Sequence, residues 1–244
     1  MKDVLLKITE NSALTDNVYR MKLSGDISDI TRPGQFVNLK IDGLFLRRPI
    51  SVCDTEGDVL TLIYKVVGAG TEKMAQMTAG AELFALTGLG NGYDTSLSGE
   101  KPLICGGGVG VPPLYYLAKK LLSEGKKVFA VLGFNTGKEV FYEKEFRDLG
   151  CDVAVTTVDG SYGKKGFVTD ALPHDYSYFY ACGPQPMLKA VYNATKTGGE
   201  LSFEERMGCG FGACMGCSCK TLTGYKRICR DGPVMKKEEI LWGD

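Results

Sequence analysis

The chain has 244 residues, with 29 basic and 29 acidic side chains, so its formal net charge is zero and it carries no basic footprint for nucleic acid. No apolar run reaches membrane-spanning length and Met1-Lys2-Asp3 opens no signal peptide, so a cytoplasmic protein with no membrane partner is expected. Nine cysteines, an odd number, argue in a reducing compartment for metal or redox use over a disulfide framework.

The first third reads as β-structure. Residues 4–8, 18–23, 35–41 and 59–67 alternate or carry β-branched runs. Asp16-Asn17, Asp42-Gly43 and Glu56-Gly57-Asp58 mark turns between them. Short strands at this spacing predict a small antiparallel barrel. One short helix interrupts it, starting near Thr71 as N-cap and running through Met74 and Met77.

The middle third changes period. Strands are expected at 102–105, 128–132, 153–158 and 177–181, and helices at 113–123, 139–149 and 186–195. Leu114, Leu117, Leu121 and Leu122 fall on one face of the first helix. Strands alternating with helices imply a parallel sheet of nucleotide-binding topology. The small polar stretch 96–100 marks the boundary. The expected regions are a barrel over 1–97, an α/β domain over 98–197, and a C-terminal lobe over 198–244 with little regular structure. A lobe that small needs help to hold its fold, which a metal would supply.

That lobe contains Cys209, Cys214, Cys217 and Cys229 in a glycine-rich loop. Their C-x4-C-x2-C spacing, followed by a distant cysteine, matches the plant-type pattern for a 2Fe–2S cluster. Structural zinc is the alternative, because Cys214 and Cys217 form a C-x2-C, although a zinc ribbon wants a second close pair. Cys219 is read as a non-ligand, since Cys229 completes the order. Cys53, Cys105, Cys151 and Cys182 sit in apolar, strand-like surroundings and read as small buried hydrophobes.

Two further motifs carry chemistry. Arg48-Pro49-Ile50-Ser51 enters a barrel strand, as in flavin reductases. The guanidinium there can pair with a flavin pyrophosphate and the serine hydroxyl can reach the reactive edge of the ring. Val66-Val67-Gly68-Ala69-Gly70-Thr71 runs from strand through glycine turn to helix start, a phosphate-binding arrangement. Gly108-Val109-Gly110-Val111-Pro112-Pro113 likewise follows a strand and precedes a helix, with Pro113 in place of the third fingerprint glycine. Cys182-Gly183-Pro184-Gln185-Pro186-Met187 ends a later strand. Both segments belong at the carboxyl edge of an open sheet and so face one crevice. Residues 133–138 lack both an arginine for a 2′-phosphate and an acid for a ribose hydroxyl, so the preference for NAD over NADP is weak. His174, the only histidine, lies in a loop, and no hydrolytic triad can be assembled.

In this order the residues resemble the ferredoxin–NADP reductase superfamily, and within it the electron transfer subunits of the NAD-linked, B-type dihydroorotate dehydrogenases of bacteria. The resemblance spans essentially the whole chain. It implies FAD at Arg48, Pro49, Ile50, Ser51, Ile63, Tyr64, Lys65, Gly70 and Thr71. It implies NAD(H) at Gly108, Gly110, Pro112, Cys182, Gly183, Pro184 and Met187, and a 2Fe–2S cluster on Cys209, Cys214, Cys217 and Cys229. It further implies an oxidoreductase subunit that passes electrons from NADH through FAD and the cluster to the FMN of a catalytic dihydroorotate dehydrogenase subunit. That complex, a heterotetramer of two plus two, would serve pyrimidine (UMP) synthesis. Small subunits of NADH-dependent ferredoxin–NADP oxidoreductase and of sulfide dehydrogenase share the layout, as do hydrogenase diaphorase subunits. Such relatives often place Asp where this chain has Cys209. A stand-alone flavin reductase and a zinc-stabilised binding module are the alternatives of another class.

Overall fold

The computed structural model describes residues 1–242, so the last two residues of the expected 198–244 lobe lie outside the described residues. Six strands, β1 (Lys2–Ala13), β2 (Val18–Ser24), β3 (Phe36–Leu39), β4 (Arg48–Glu56), β5 (Val59–Lys65) and β6 (Glu82–Leu89), close into an antiparallel barrel in the order β1-β2-β5-β4-β3-β6. Closure leaves no free sheet edge. Alternation fills the interior: Leu6 and Ile8 of β1, Met21 and Leu23 of β2, and Leu60 and Leu62 of β5 are fully buried. Each such side chain contributes roughly 1.5–3 kcal/mol by leaving water.

The barrel helix α1 (Ala69–Ala75) begins earlier than the sequence suggests. Gly68 stands at its N-cap, and Thr71 lies inside the first turn. The Thr71 hydroxyl accepts hydrogen bonds from the backbone N–H of Val67 (2.9 Å) and of Gly68 (3.3 Å), so it staples the turn from within.

The second layer follows the β–α alternation. Strands β7 (Pro102–Gly107), β8 (Phe129–Phe134), β9 (Asp152–Thr157), β10 (Lys164–Lys165), β11 (Tyr178–Cys182) and β12 (Gly199–Ser202) are parallel, in the order β10-β9-β8-β7-β11-β12. Helices α2 (Val111–Ser123), α3 (Glu143–Leu149) and α4 (Gln185–Ala194) connect them. Leu114, Leu117 and Leu121 of α2 are buried, as their spacing predicts. The helix expected at 139–149 is shorter, because Tyr142 takes a left-handed backbone (φ 65°) just before α3. That turn puts its ring against Tyr115 and Phe141 in the core.

The C-terminal stretch has more regular structure than expected. After β12, a hairpin of β13 (Ser218–Thr221) and β14 (Gly224–Arg227) leads into the single turn α5 (Ile228–Asp231). Then β15 (Val234–Lys236) returns to the large sheet and pairs antiparallel with β12. The cysteine segment is therefore a loop thrown out between two strands of that sheet. Asn91, just after the barrel, bonds to Gly232 and to both backbone groups of Val234, tying the returning segment down.

Barrel and sheet share a core. Val18, Cys53 and Ile63 pack with Leu114, Leu117, Phe134 and Phe146. Lys119 of α2 pairs with Asp54 of β4 at 3.0 Å across the same contact. Cys53, Cys105 and Cys151 are buried hydrophobes, but Cys182, expected with them, is only partly buried, because it ends β11 at the open edge of the sheet.

Candidate active site

The flavin-type motif occupies the start of β4, in register against β3: Arg48 faces Leu39, Pro49 faces Asn38, Ile50 faces Val37 and Ser51 faces Phe36. Two adjacent arginines have different fates. Arg47 makes a bidentate pair with Asp3, both contacts at 2.8 Å. Arg48 has no acidic partner among the described residues and donates only to the neighbouring carbonyls of Leu46 and Arg47. Its guanidinium lies on Gly70, where an added Cβ would stand 2.7 Å from Cζ. The strand motif and the glycine turn, far apart in sequence, thus form one cradle with an unneutralised cation in it. That is what a pyrophosphate needs. Ile63 and Tyr64 are buried, Ile63 in the shared core and Tyr64 in the barrel, where its hydroxyl donates to Asn11 at 3.0 Å. Lys65 is half-buried at the end of β5.

The two nucleotide-type turns meet. Strands β7 and β11 are parallel neighbours, with Cys182 in register with Gly106, so both turns emerge at one carboxyl edge. An added Cβ on Gly110 would stand 2.6 Å from the Cα of Gly183. Met187 and Pro184 close on Gly107 from the other side. Pro112 is buried in the first turn of α2, whose N-terminus opens into the crevice. Burial pushes the Cys182 thiol up to about 12, so it stays protonated. Two acids that the 133–138 window misses stand at the ends of neighbouring strands. Glu139 accepts from Asn135 at 3.0 Å after β8, and Asp159, after β9, donates its N–H to the Asn135 carbonyl.

The four cysteines arrive as two pairs. Cys209 lies beside Cys214, and Cys217 beside Cys229. The backbone N–H groups of Ala213 (3.2 Å) and Cys214 (3.4 Å) point at Cys209 Sγ, and that of Cys229 (3.4 Å) points at Cys217 Sγ. Desolvation opposes the charged form of Cys209, yet these N–H groups outweigh it and hold its thiol down at about 6. Cys229 is buried deeper, and burial pushes it up to about 12. A mononuclear zinc site gathers four ligands on one ion. A binuclear cluster takes them two per iron, and the paired donors with N–H groups aimed at sulfur fit that group. Arg227 closes the loop, donating to the Gly212 carbonyl (3.0 Å) and to Asp231 (3.1 Å). Cys219 lies on β13 opposite Lys226 and packs against the apolar cluster that holds Ile228. Phe211 and Met215 project outward, 44% and 55% exposed.

One residue here has no signal in the sequence. Asn38, on β3, is 1% exposed and donates to the Cys209 carbonyl at 3.3 Å. It joins β3, the strand paired with the flavin-type segment, to the cysteine loop across 171 residues of sequence.

Residues 204–241 match the family model described as the iron-sulfur cluster binding domain of dihydroorotate dehydrogenase B, and residues 103–193 match the oxidoreductase NAD-binding domain. The chain is 43% identical over 256 residues to the dihydroorotate dehydrogenase B (NAD(+)) electron transfer subunit of a Geobacillus strain, covering 99% of both chains. It is 44% identical over 250 residues to the subunit of the same name from Fusobacterium nucleatum, covering 96% of both. Among solved structures, that of the NADH-dependent reduced ferredoxin-NADP oxidoreductase, described in terms of flavin-based electron bifurcation, superposes with a TM-score of 0.89 at 29% identity, covering 98% of this chain and 90% of that one.

Proposed function

The chain belongs to the family of dihydroorotate dehydrogenase B electron transfer subunits, and from that premise we propose how its residues divide the work. It is an oxidoreductase subunit that carries electrons between NAD(H), FAD and a 2Fe–2S cluster in an NAD-dependent dihydroorotate dehydrogenase, in pyrimidine biosynthesis. When bound, FAD converts the two-electron hydride of NADH into single electrons, and the cluster relays them to a partner.

Arg48 binds the flavin pyrophosphate with its free guanidinium, over a floor made by Gly70 and Thr71. Pro49, Ile50 and Ser51 line the flavin ring, with the Ser51 hydroxyl at its reactive edge, and Ile63, Tyr64 and Lys65 back it from β5. Gly108, Gly110 and Pro112 receive the NADH pyrophosphate at the N-terminus of α2. Cys182, Gly183, Pro184 and Met187 wall the nicotinamide side of the crevice. With its thiol protonated, Cys182 would present a neutral surface to a bound nicotinamide. Glu139 and Asp159 favour a ribose hydroxyl and repel a 2′-phosphate, which supports NAD over NADP. Cys209 and Cys214, and Cys217 and Cys229, are the two pairs of thiols that would hold a 2Fe–2S cluster.

The regions 1–97, 98–197 and 198–244 serve FAD, NAD and the cluster, and the last of them also lends β12 and β15 to the sheet of the NAD region. The partner is an FMN-containing catalytic subunit in a cytoplasmic two-plus-two heterotetramer. Phe211 and Met215, exposed beside the cysteines, are the apolar part of its docking surface.

The observation that carries this reading is the pair of cysteine pairs on a loop docked against β3, the strand paired with the flavin-type segment. The purified chain is expected to reduce artificial dyes with NADH but not to oxidise dihydroorotate. Adding the catalytic subunit should give NAD-dependent dihydroorotate oxidation, and Met215→Asp should lower that coupled rate while sparing the dye reaction. A catalytic subunit that uses NAD equally well without this chain would overturn the proposal.

A further inference from the structure

We propose that Asn38 is a positioning residue that sets the electron contact between the flavin strand and the cluster loop; this rests on the flavin and cluster assignments above. Its backbone belongs to β3, where it stands opposite Pro49 of the Arg48–Ser51 segment. Its side chain belongs to the cysteine loop: Nδ2 donates to the Cys209 carbonyl at 3.3 Å. The next residue of the loop, Gly210, has a left-handed backbone (φ +80°), and a Cβ there would stand 2.5 Å from Asn38 Nδ2. The loop backbone therefore sits directly on the amide, and only glycine allows that approach. From the opposite side Arg47, fixed by Asp3, donates to the Asn38 carbonyl at 3.4 Å. Asn38 is held at both ends, by the barrel and by the cysteine loop.

The amide orientation follows from chemistry. Turning Oδ1 toward the Cys209 carbonyl would place two acceptors together, so the donor faces the loop. That leaves Oδ1 buried and without a hydrogen-bond partner. A half-satisfied amide in an interior is costly, and an apolar residue of similar size would stabilise the barrel better. Stability therefore does not account for asparagine here. Registering the loop does, because one donor at a fixed point locates the Cys209 backbone relative to β4. NADH supplies the electrons and the cluster accepts them one at a time, so Asn38 takes part in no bond change.

The test uses the holoprotein, with Asn38→Leu, which removes the amide at similar volume, and Asn38→Ser, which removes it and shortens the side chain. Flavin content, iron content and the NADH-driven flavin reduction phase are expected to stay as in the unaltered protein. The later cluster-reduction phase in stopped flow should slow several-fold, because the loop that carries Cys209 loses the donor that fixes its distance from β3 and β4. The EPR line shape of the reduced cluster should change, and iron should leave faster to a chelator. If Asn38→Leu cannot retain iron, Asn38→Ser carries the same readouts. Unchanged cluster reduction, line shape and iron release in a fully loaded variant would overturn the inference. Absence of flavin or cluster from the unaltered protein would instead overturn the functional reading beneath it.

Discussion

The guanidinium of Arg48 rests on Gly70, close enough that no side chain fits between them. This contact joins the start of a barrel strand to the first turn of α1. It also leaves the cation without a carboxylate, while its neighbour Arg47 is neutralised by Asp3.

Arg48→Ala should therefore weaken FAD retention. A charge-assisted hydrogen bond of this kind is worth roughly 1.5–3 kcal/mol, or about 10- to 150-fold in affinity. Arg47→Ala should keep its flavin, since it breaks a partly exposed pair with Asp3 worth about 1 kcal/mol or less and a long hydrogen bond to the Asn38 carbonyl, and removes no cation from the cradle. Flavin content after extensive dialysis measures both. Equal flavin in the Arg48→Ala and unaltered proteins would remove Arg48 from the site.

Gly110→Val should slow flavin reduction by NADH with flavin content unchanged. Its side chain would enter the space held by Cys182 and Gly183 and push the two turns apart. Stopped-flow absorbance with excess NADH reads the effect. A normal rate would mean the nucleotide does not use this turn.

Much of this was legible from residue patterns, and the failures have physical causes. Glycine turns and alternation located the barrel and the β–α layers, because those signals are local. Strand β6 carries a period-two signal too, since its buried Leu83, Ala85, Thr87 and Leu89 alternate with less buried neighbours. The strands β12 and β15 are four and three residues long, too short for any period to show, and they pair through tertiary contact. The Arg48 motif was visible, but its freedom from Asp3 was not, since that depends on which arginine the β1 strand reaches. Asn38 was invisible for the same reason: its partner is 171 residues away.

Cys219→Ser should leave iron and flavin intact, whereas Cys229→Ser should lose the cluster and loosen the segment between β12 and β15. Metal binding and folding are coupled in such a loop, and Cys229 is buried beside Cys217 while Cys219 sits in the hairpin. Iron analysis with limited proteolysis decides it. Bleaching by Cys219→Ser with retention by Cys229→Ser would reverse the assignment.

Glu200 offers a test of the fold away from the cofactors. It is 4% exposed, accepts the Asp94 N–H at 2.9 Å, and burial raises its carboxyl from an ordinary 4.5 to about 7. The native state therefore keeps this proton to higher pH than the unfolded chain. Its contribution to stability is fully present below about pH 4.5 and is lost as pH rises to about 7, by up to roughly 3 kcal/mol. Glu200→Gln should be more stable than the unaltered protein at pH 8 and should narrow that advantage toward pH 5. Urea denaturation at the two pH values measures it, and an equal difference at both would exclude the titration.

The most direct measurement is an anaerobic titration of the purified chain with NADH, followed by low-temperature EPR and by iron, sulfide and zinc analysis. The account predicts two irons and two acid-labile sulfides per chain, as a 2Fe–2S cluster requires, flavin bleaching on NADH addition, and the signal of a reduced binuclear cluster. Stoichiometric zinc with no iron, or a cluster that NADH cannot reduce through the flavin, would contradict it.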